Sequence, residues 1–326
     1  MSDHKKRPAA SGRRGEYISR SSVQHSPYQF IPADSICHAF SQVFGQVDHD
    51  FACDGNLHRL DDPTGKTGNK ACWYVSEHDS GVFGSWREGV IYRYKMIKVD
   101  RKTESDPQQQ AKHRALWQQK KLLREQERIM LQAKAQIKAQ HLWTQATPAI
   151  QHPYLLRKQL PALNLRQASN ALVVPLFYRD KLCNVQFITA DGQKRFLKHG
   201  RVQGAFCPLG TEDATERLLI CEGWATGATL HMQYDLPIAC AMFAGNLVHV
   251  ARELRARYPK RPIVICADDD RQSQRNVGLA SAKHAAQVIA ASWAKPTWPD
   301  DAPTNLTDFN DLYLWMLQQG GCHECY

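Results

Sequence analysis

Nowhere in its 326 residues does the sequence hold an apolar run near the roughly 20 residues that a membrane-spanning helix needs, so a helical membrane protein is excluded. The opening stretch, MSDHKKRPAASGRRGEYISRSS, has no apolar core of the kind a secretion signal carries, and is expected to be a basic, disordered arm. Paired cysteines are equally scarce. The ten cysteines stand singly in strand-like segments, except in the closing CHEC. That spacing excludes a disulfide framework and fits reduced thiols, hence a cytoplasmic protein. Cys37, Cys53 and Cys72 form no CxxC pair, so no zinc is expected at the front, and Cys322, His323 and Cys325 make one pair without a second. A complete P-loop is also missing. PTGKTGNK contains Gly-Lys-Thr, but the first glycine of the motif would fall at Leu60, and a turn and strand follow instead of a helix.

What is present is charge, unevenly distributed. The formal net charge is +10. Residues 211–326 hold ten Lys/Arg against fourteen Asp/Glu, whereas residues 1–210 hold thirty-two against eighteen. A basic front joined to an acidic back suggests a polyanion held by one part and processed, with metal, by the other.

Five segments follow from the pattern: the arm at 1–30, a small β-rich segment at 31–100, a helical linker at 101–145, a mixed unit at 146–210 and an α/β unit at 211–326. Within 31–100, DGNLHRL and KACWYVSEHDSGVFGSWREGVIYRYKM read as hairpins. The linker is rich in Gln, Ala, Lys and Leu, with no Gly or Pro after Pro107, and predicts a long polar helix whose charges face solvent. ALVVPLFY, LCNVQFITA and QKRFLKHG predict a meander. From 217 the order alternates: strand RLLICE, helix ATGATLHMQYD, strand IACAMF, helix NLVHVARELRARY, strand PIVICAD, helix GLASAKHAAQVIAASW, a short strand near AKPTW and helix DFNDLYLWMLQQ. Such alternation implies a parallel sheet covered on both faces, with its functional edge at the carboxyl ends of the strands.

The acids fall on that edge. Glu222 interrupts the apolar run of 218–221, and a carboxylate at the end of a buried strand is costly unless it is paired or binds something. Asp268, Asp269 and Asp270 end another strand of the same sheet. Asp268 and Asp270 can both turn toward the cleft, with Asp269 facing away. An oxygen-rich cluster without His or thiolate suits Mg²⁺ or Mn²⁺. Asp308 and Asp311 add a third acidic patch at a helix start, where Asp308 is equally a candidate N-cap.

The ordered set ICEGWATGATL, FAGNL, IVICADDD and TDFNDL resembles the Toprim domain, and more closely the Toprim primases of plasmids, integrative elements and phages. HPYLLRK, LVVPLFY, VQFITADGQKRFLKHGR, GAFCPLG, DGNLHRL and WYVSEHDSGVFGSWREG extend the resemblance to about residues 50–325. It implies a Toprim catalytic domain at 211–326, preceded by a mixed α+β primase subdomain with a basic ridge at 146–210. It further implies an enzyme that joins nucleoside triphosphates into primers on a single-stranded DNA template, with a replicative helicase on a separate chain. Glu222 then takes an acid/base or metal role, and Asp268 and Asp270 hold two divalent cations together with Glu222 and, as a further ligand, Asp308. Lys194, Arg195, Lys198 and Arg201 correspond to the ridge that guides template and nucleotide. Four cations within eight residues can also be simple protection of an edge strand. Where replicative primases have a zinc ribbon, this chain has Arg59, Trp73, Tyr74, Phe83, Trp86 and Arg87, a mixture suited to stacking on unpaired bases, with several of the aromatics expected in the core. Lys158 is a further candidate template contact, and Arg275 lies in the loop after the aspartates. Two other readings stay open: a Toprim nuclease using the same acids, and an idle DNA-binding adaptor.

Overall fold

A computed structural model describes residues 29–320 apart from 66, 78–79, 97–106, 212–216 and 274. The expected basic arm, up to residue 28, and the CHEC segment lie outside the described residues.

The first sheet is built from β1 (Gln29–Ala33), β2 (Asp54–Leu60), β3 (Cys72–Glu77), β4 (Ser80–Ser85) and β5 (Val90–Met96), in the order β1-β5-β4-β3-β2. A helix absent from the sequence reading, α1 (Ile36–Phe44), covers one face. Its N-cap Ser35 accepts a hydrogen bond from the His38 N–H, and Phe40 and Phe44 pack on Phe83. Tyr74 and Phe83 are fully buried in this core. They are thus two of the aromatics expected in the core. Strand alternation explains the split, because Tyr74 points inward while its neighbour Trp73 does not.

Helix α2 (Pro107–Gln145) links this sheet to the rest. Near its start, Arg124 donates to the Gly55 carbonyl at 3.0 Å, and Lys120 approaches Glu77 at 3.9 Å. Near its end, Ala139 is buried against Val173 and Val185. The second sheet holds β6 (Thr147–Pro148), β7 (Arg166–Ala168), β8 (Ala171–Tyr178), β9 (Lys181–Thr189) and β10 (Lys194–Phe196) in the order β10-β9-β8-β7-β6, with α3 (Pro153–Lys158) between the first two strands. Only three residues of QKRFLKHG form a strand, and they lie at the sheet's edge.

The third sheet comprises β11 (Cys207–Leu209), β12 (Leu218–Cys221), β13 (Ile238–Cys240), β14 (Ile263–Cys266) and β15 (Ser292–Ala294). Its order is β11-β13-β12-β14-β15. The pairs β12–β13, β12–β14 and β14–β15 are parallel, and β11 is an antiparallel edge. Alternate residues of β12 face opposite layers. Leu219 and Cys221 pack with α4 (Trp224–Tyr234), whereas Leu218 and Ile220 pack with α5 (Leu247–Arg257) and α6 (Val277–Val288). Helix α7 (Phe309–Gln318) lies beside α4. The helix expected through Trp293 stops at Val288, because Ala290 takes a left-handed conformation (φ 50°) and the chain turns into β15.

Four buried cysteines, Cys207, Cys240, Cys221 and Cys266, stand in register across this sheet, one row before the acid-bearing edge. Their small side chains let α4 approach. A Cβ on Gly227 would fall 2.3 Å from the Cys240 Sγ and 3.1 Å from the Cys221 Sγ. Gly227→Ala is therefore expected to cost about 1–3 kcal/mol of stability through overpacking. Urea unfolding measures this; an unchanged midpoint would mean that α4 shifts without penalty.

Candidate active site

Glu222 leaves the end of β12 with its main chain locked to the neighbouring strand: the Met242 N–H donates to the Glu222 carbonyl at 2.6 Å. The Ala244 N–H donates to its carboxylate. Ala244 opens a single 3₁₀ turn, Ala244–Asn246, that Asn246 ties down. The Asn246 amide donates to the carbonyls of Ala205 (2.9 Å) and Ala241 (2.8 Å), and its oxygen accepts from the Gly204 N–H at 2.8 Å. This staple was legible only as part of FAGNL, with no role attached.

Three acids converge at this edge. Burial pushes the Glu222 carboxyl above its ordinary range against the pull of Lys194, the Ala244 N–H and Arg87, and the charge of Asp308 pushes the same way as burial. Asp268 is raised further, by burial and then by the charges of Glu222 and Asp308. Asp308 is raised by burial and by Asp311. One oxygen of Asp268, Oδ1, is buried without a hydrogen-bond partner among the described residues. Asp308 is also an N-cap, since its Oδ1 accepts from the Asp311 N–H at 2.8 Å.

Asp270 is a different case. The charges that act most strongly on Asp268 are those of Glu222, Asp308, Lys194 and Asp311, and Asp270 is not among them. Asp308 thus joins Glu222 and Asp268 as a carboxylate of the group. Asp269 faces away, as expected. Burial opposes its ionisation, yet hydrogen bonds from Lys295 (2.7 Å), Asn276 (2.8 Å) and the Trp298 Nε1 (3.3 Å) hold its carboxyl below the usual range. Asn276, in a left-handed conformation, also accepts from the Asp270 N–H and so braces the whole turn.

The cations divide into five fates. Lys194 reaches the acids: its Nζ would lie 3.9 Å from a Cβ on Gly223, and its charge pulls on Glu222, Asp268 and Asp308 alike. Arg195 and Lys198 are exposed, Arg195 touching Gln193. Arg201 lies over the Tyr178 ring at 3.5 Å. Lys158 is not an open template contact. Its ammonium pairs with Asp311 at 3.1 Å, and although burial works against its charge, Asp308 and Asp311 raise its pKa. Arg275 is a clamp between domains, bonded to Glu88 and the Val43 carbonyl at 2.8 Å each and set over Phe44.

That clamp places the first sheet against the acid edge. The Gly245 N–H donates to the Arg87 carbonyl at 3.2 Å, and a Cβ on Gly89 would meet the Gly245 Cα at 2.8 Å, so only glycines allow the approach. Arg87 thereby comes close enough to act on Glu222. Beside it, Trp73 packs on Trp86, which is exposed and carries Arg59 over its ring at 4.6 Å.

The donors fit a hard divalent cation in kind: all are carboxylate oxygens, one is orphaned, and their mutual repulsion rewards a cation. Among the described residues no three His, Cys, Asp or Glu side chains are already gathered as a metal cage. A cation held partly through its own waters and a substrate phosphate suits such a site, which is how Mg²⁺ is usually bound.

The strand-end glutamate and aspartate of a parallel sheet define the class, and residues 217–319 match the Toprim domain family. Beyond that domain, the chain is similar to proteins named DNA primase TraC from Escherichia coli. One is 32% identical over 265 residues, covering 77% of this chain and 24% of the relative; another is 29% identical over 321 residues, covering 89% and 21%. The chain therefore spans about a quarter of the length of these relatives. Among solved structures, the primase fragment of the bacteriophage T7 primase-helicase protein is similar at 14% identity with a TM-score of 0.37, over 53% of this chain and 68% of that one. Among the described residues no helix is long and apolar enough to cross a membrane.

Ridge contacts can be tested separately from chemistry. Lys198→Ala is expected to lower the salt dependence of single-stranded DNA binding by about 0.7 in log–log slope. Arg201→Ala should do the same and also free Tyr178. Lys283→Ala, whose ammonium lies over Trp293 away from the ridge, should leave the slope alone. Unchanged slopes for both ridge variants would move the template to the surface around Trp73 and Trp86.

Proposed function

We propose that this chain is the catalytic part of a DNA primase that serves a mobile element, joining nucleoside triphosphates into short primers on single-stranded DNA by metal-dependent nucleotidyl transfer. The observation that carries the reading is the buried group of Glu222, Asp268 and Asp308 at the Toprim sheet edge with Lys194 of the ridge set over it. The similarity to DNA primase TraC over most of the chain supports it.

Mg²⁺ or Mn²⁺ would be held by Glu222, Asp268 and Asp270, with Asp308 as a further ligand, and would supply activation of the attacking hydroxyl and charge neutralisation at the leaving pyrophosphate. Glu222, oriented by the Ala244 N–H, faces the reacting atoms with a raised pKa, which suits it to hold or move a proton. Lys194 and Arg87 approach the same centre from two different sheets and neutralise the triphosphate of the incoming nucleotide. Lys198 and Arg195 lie farther along the ridge, where template phosphates pass, and Trp73 and Trp86 offer rings for unpaired bases. A replicative helicase would be a partner on a separate chain.

The test is primer synthesis on single-stranded templates of random sequence with all four nucleotides and Mg²⁺ or Mn²⁺. Short template-dependent products are expected. Cleavage of the template without products would assign the same acids to a nuclease, and binding without either reaction would leave a DNA-binding adaptor.

A further inference from the structure

Helix α2 has two faces of different character. Arg124, Ala135 and Ala139 turn toward the body of the protein and pack on it. At 100° per residue the opposite side carries Leu116, Leu123, Met130 and Ile137, spaced seven residues apart, with Leu122 and Ile129 beside them. All six are exposed, Leu122 to 63% and Ile137 to 68%. Between these apolar layers, half a heptad away, stand Gln119, Gln126 and Ala133. Single exposed leucines are ordinary, but an apolar stripe about 32 Å long that recurs every heptad, with polar or small layers between, marks a helix–helix contact.

Charge identifies what covers it. From Pro107 to Gln145 the helix has eight Lys/Arg against two Glu, and Glu125 is already paired with Arg128. Two such helices from separate copies would repel each other. Residues 1–28, with six Lys/Arg against two acids, carry the same sign and fit no better. The glutamine layers further weaken self-pairing, since polar groups at a seam cost stability and specify a matching partner. We propose that the outward face of α2 docks an amphipathic helix of another protein whose apolar stripe is flanked by Asp and Glu.

The experiment uses the full chain and three fluorescein-labelled 28-residue peptides: one with leucine at the seam positions of every heptad and glutamate at the flanks, its lysine-flanked twin, and a scrambled peptide with the composition of the first and no stripe. Fluorescence anisotropy should show the glutamate-flanked peptide binding about tenfold or more tightly than the other two. Leu123→Gln with Met130→Gln removes two anchors, keeps every charge and retains helix propensity, and should weaken that binding about tenfold or more with unchanged circular dichroism. Failure of the glutamate-flanked peptide to bind, equal binding by its scrambled form, or equal binding by the double variant would overturn the proposal. Sedimentation showing that the wild-type chain pairs with itself and the double variant does not would assign the face to a second copy instead. Neither readout depends on primer synthesis, so this inference and the catalytic reading fail separately.

Discussion

Asp268→Asn is expected to abolish primer synthesis while leaving single-stranded DNA binding almost intact. The side chain belongs to the acid group beneath Lys194, so the substitution removes a charge from the cation site and none from the phosphate contacts. Stability should move the opposite way. Asp268 is buried, one of its oxygens has no partner among the described residues, and Glu222 and Asp308 act on it with like charge. A carboxyl whose pKa is higher in the folded chain than in the unfolded one lends stability at low pH, and that stability is lost as pH rises through the folded value. Glu222, Asp268 and Asp308 are all shifted upward. Chelator-treated wild type should therefore lose stability as pH rises above about 4, where carboxyls ordinarily ionise. Added Mg²⁺ should restore more at pH 8 than at pH 5, because only the ionised group attracts it. In Asp268→Asn both the pH-dependent loss and the Mg²⁺ gain should shrink. Thermal unfolding at the two pH values, with chelator and with Mg²⁺, measures this. Normal synthesis, or a Mg²⁺ gain equal to wild type, would remove Asp268 from the cation site.

Much of this centre can be read from the chain, and the exceptions have a common cause. Glu222 is legible because a carboxylate breaks an apolar run at a strand end, and Asp268 because it does the same 46 residues later. Parallel alternation then forces both to one edge. The closeness of Asp308 is not legible in that way. Asp308 lies 40 residues beyond Asp268 in sequence and arrives from the start of α7. Sequence spacing ranks neighbours along the chain, and only packing ranks them in space. The same limit hid the Arg275 clamp, whose partners Glu88 and Val43 lie in another domain. Which front aromatics enter the core is partly legible, because the period of two along β3 separates the inward Tyr74 from Trp73. The stripe on α2 was masked by composition: its glutamines and lysines read as a solvated face until the helix's packed side fixed which residues point outward.

Glu222→Gln is expected to slow synthesis by roughly 10² to 10⁴, the range of a lost general acid or base, with a larger loss where the carboxylate also holds the cation. The amide is nearly isosteric and keeps an oxygen to accept from the Ala244 N–H, so the strand end, the 3₁₀ turn and the Asn246 staple have no reason to move. Burial disfavours the charge that is removed, and Asp268 and Asp308 each lose a repulsive neighbour, so the variant should be at least as stable as wild type in chelator. A purely structural strand-end residue would behave otherwise: an amide that packs as well and repels less would leave turnover unchanged. The pH–rate profile separates acid/base work from charge alone. A glutamate that moves a proton imposes a limb governed by its raised pKa, and Gln should erase that limb along with the rate. A glutamate that only attracts the cation should give a variant whose rate recovers as Mg²⁺ is raised, with the limb intact. Near-native turnover at ordinary Mg²⁺ in a folded variant would exclude both roles and return Glu222 to the architecture of the sheet.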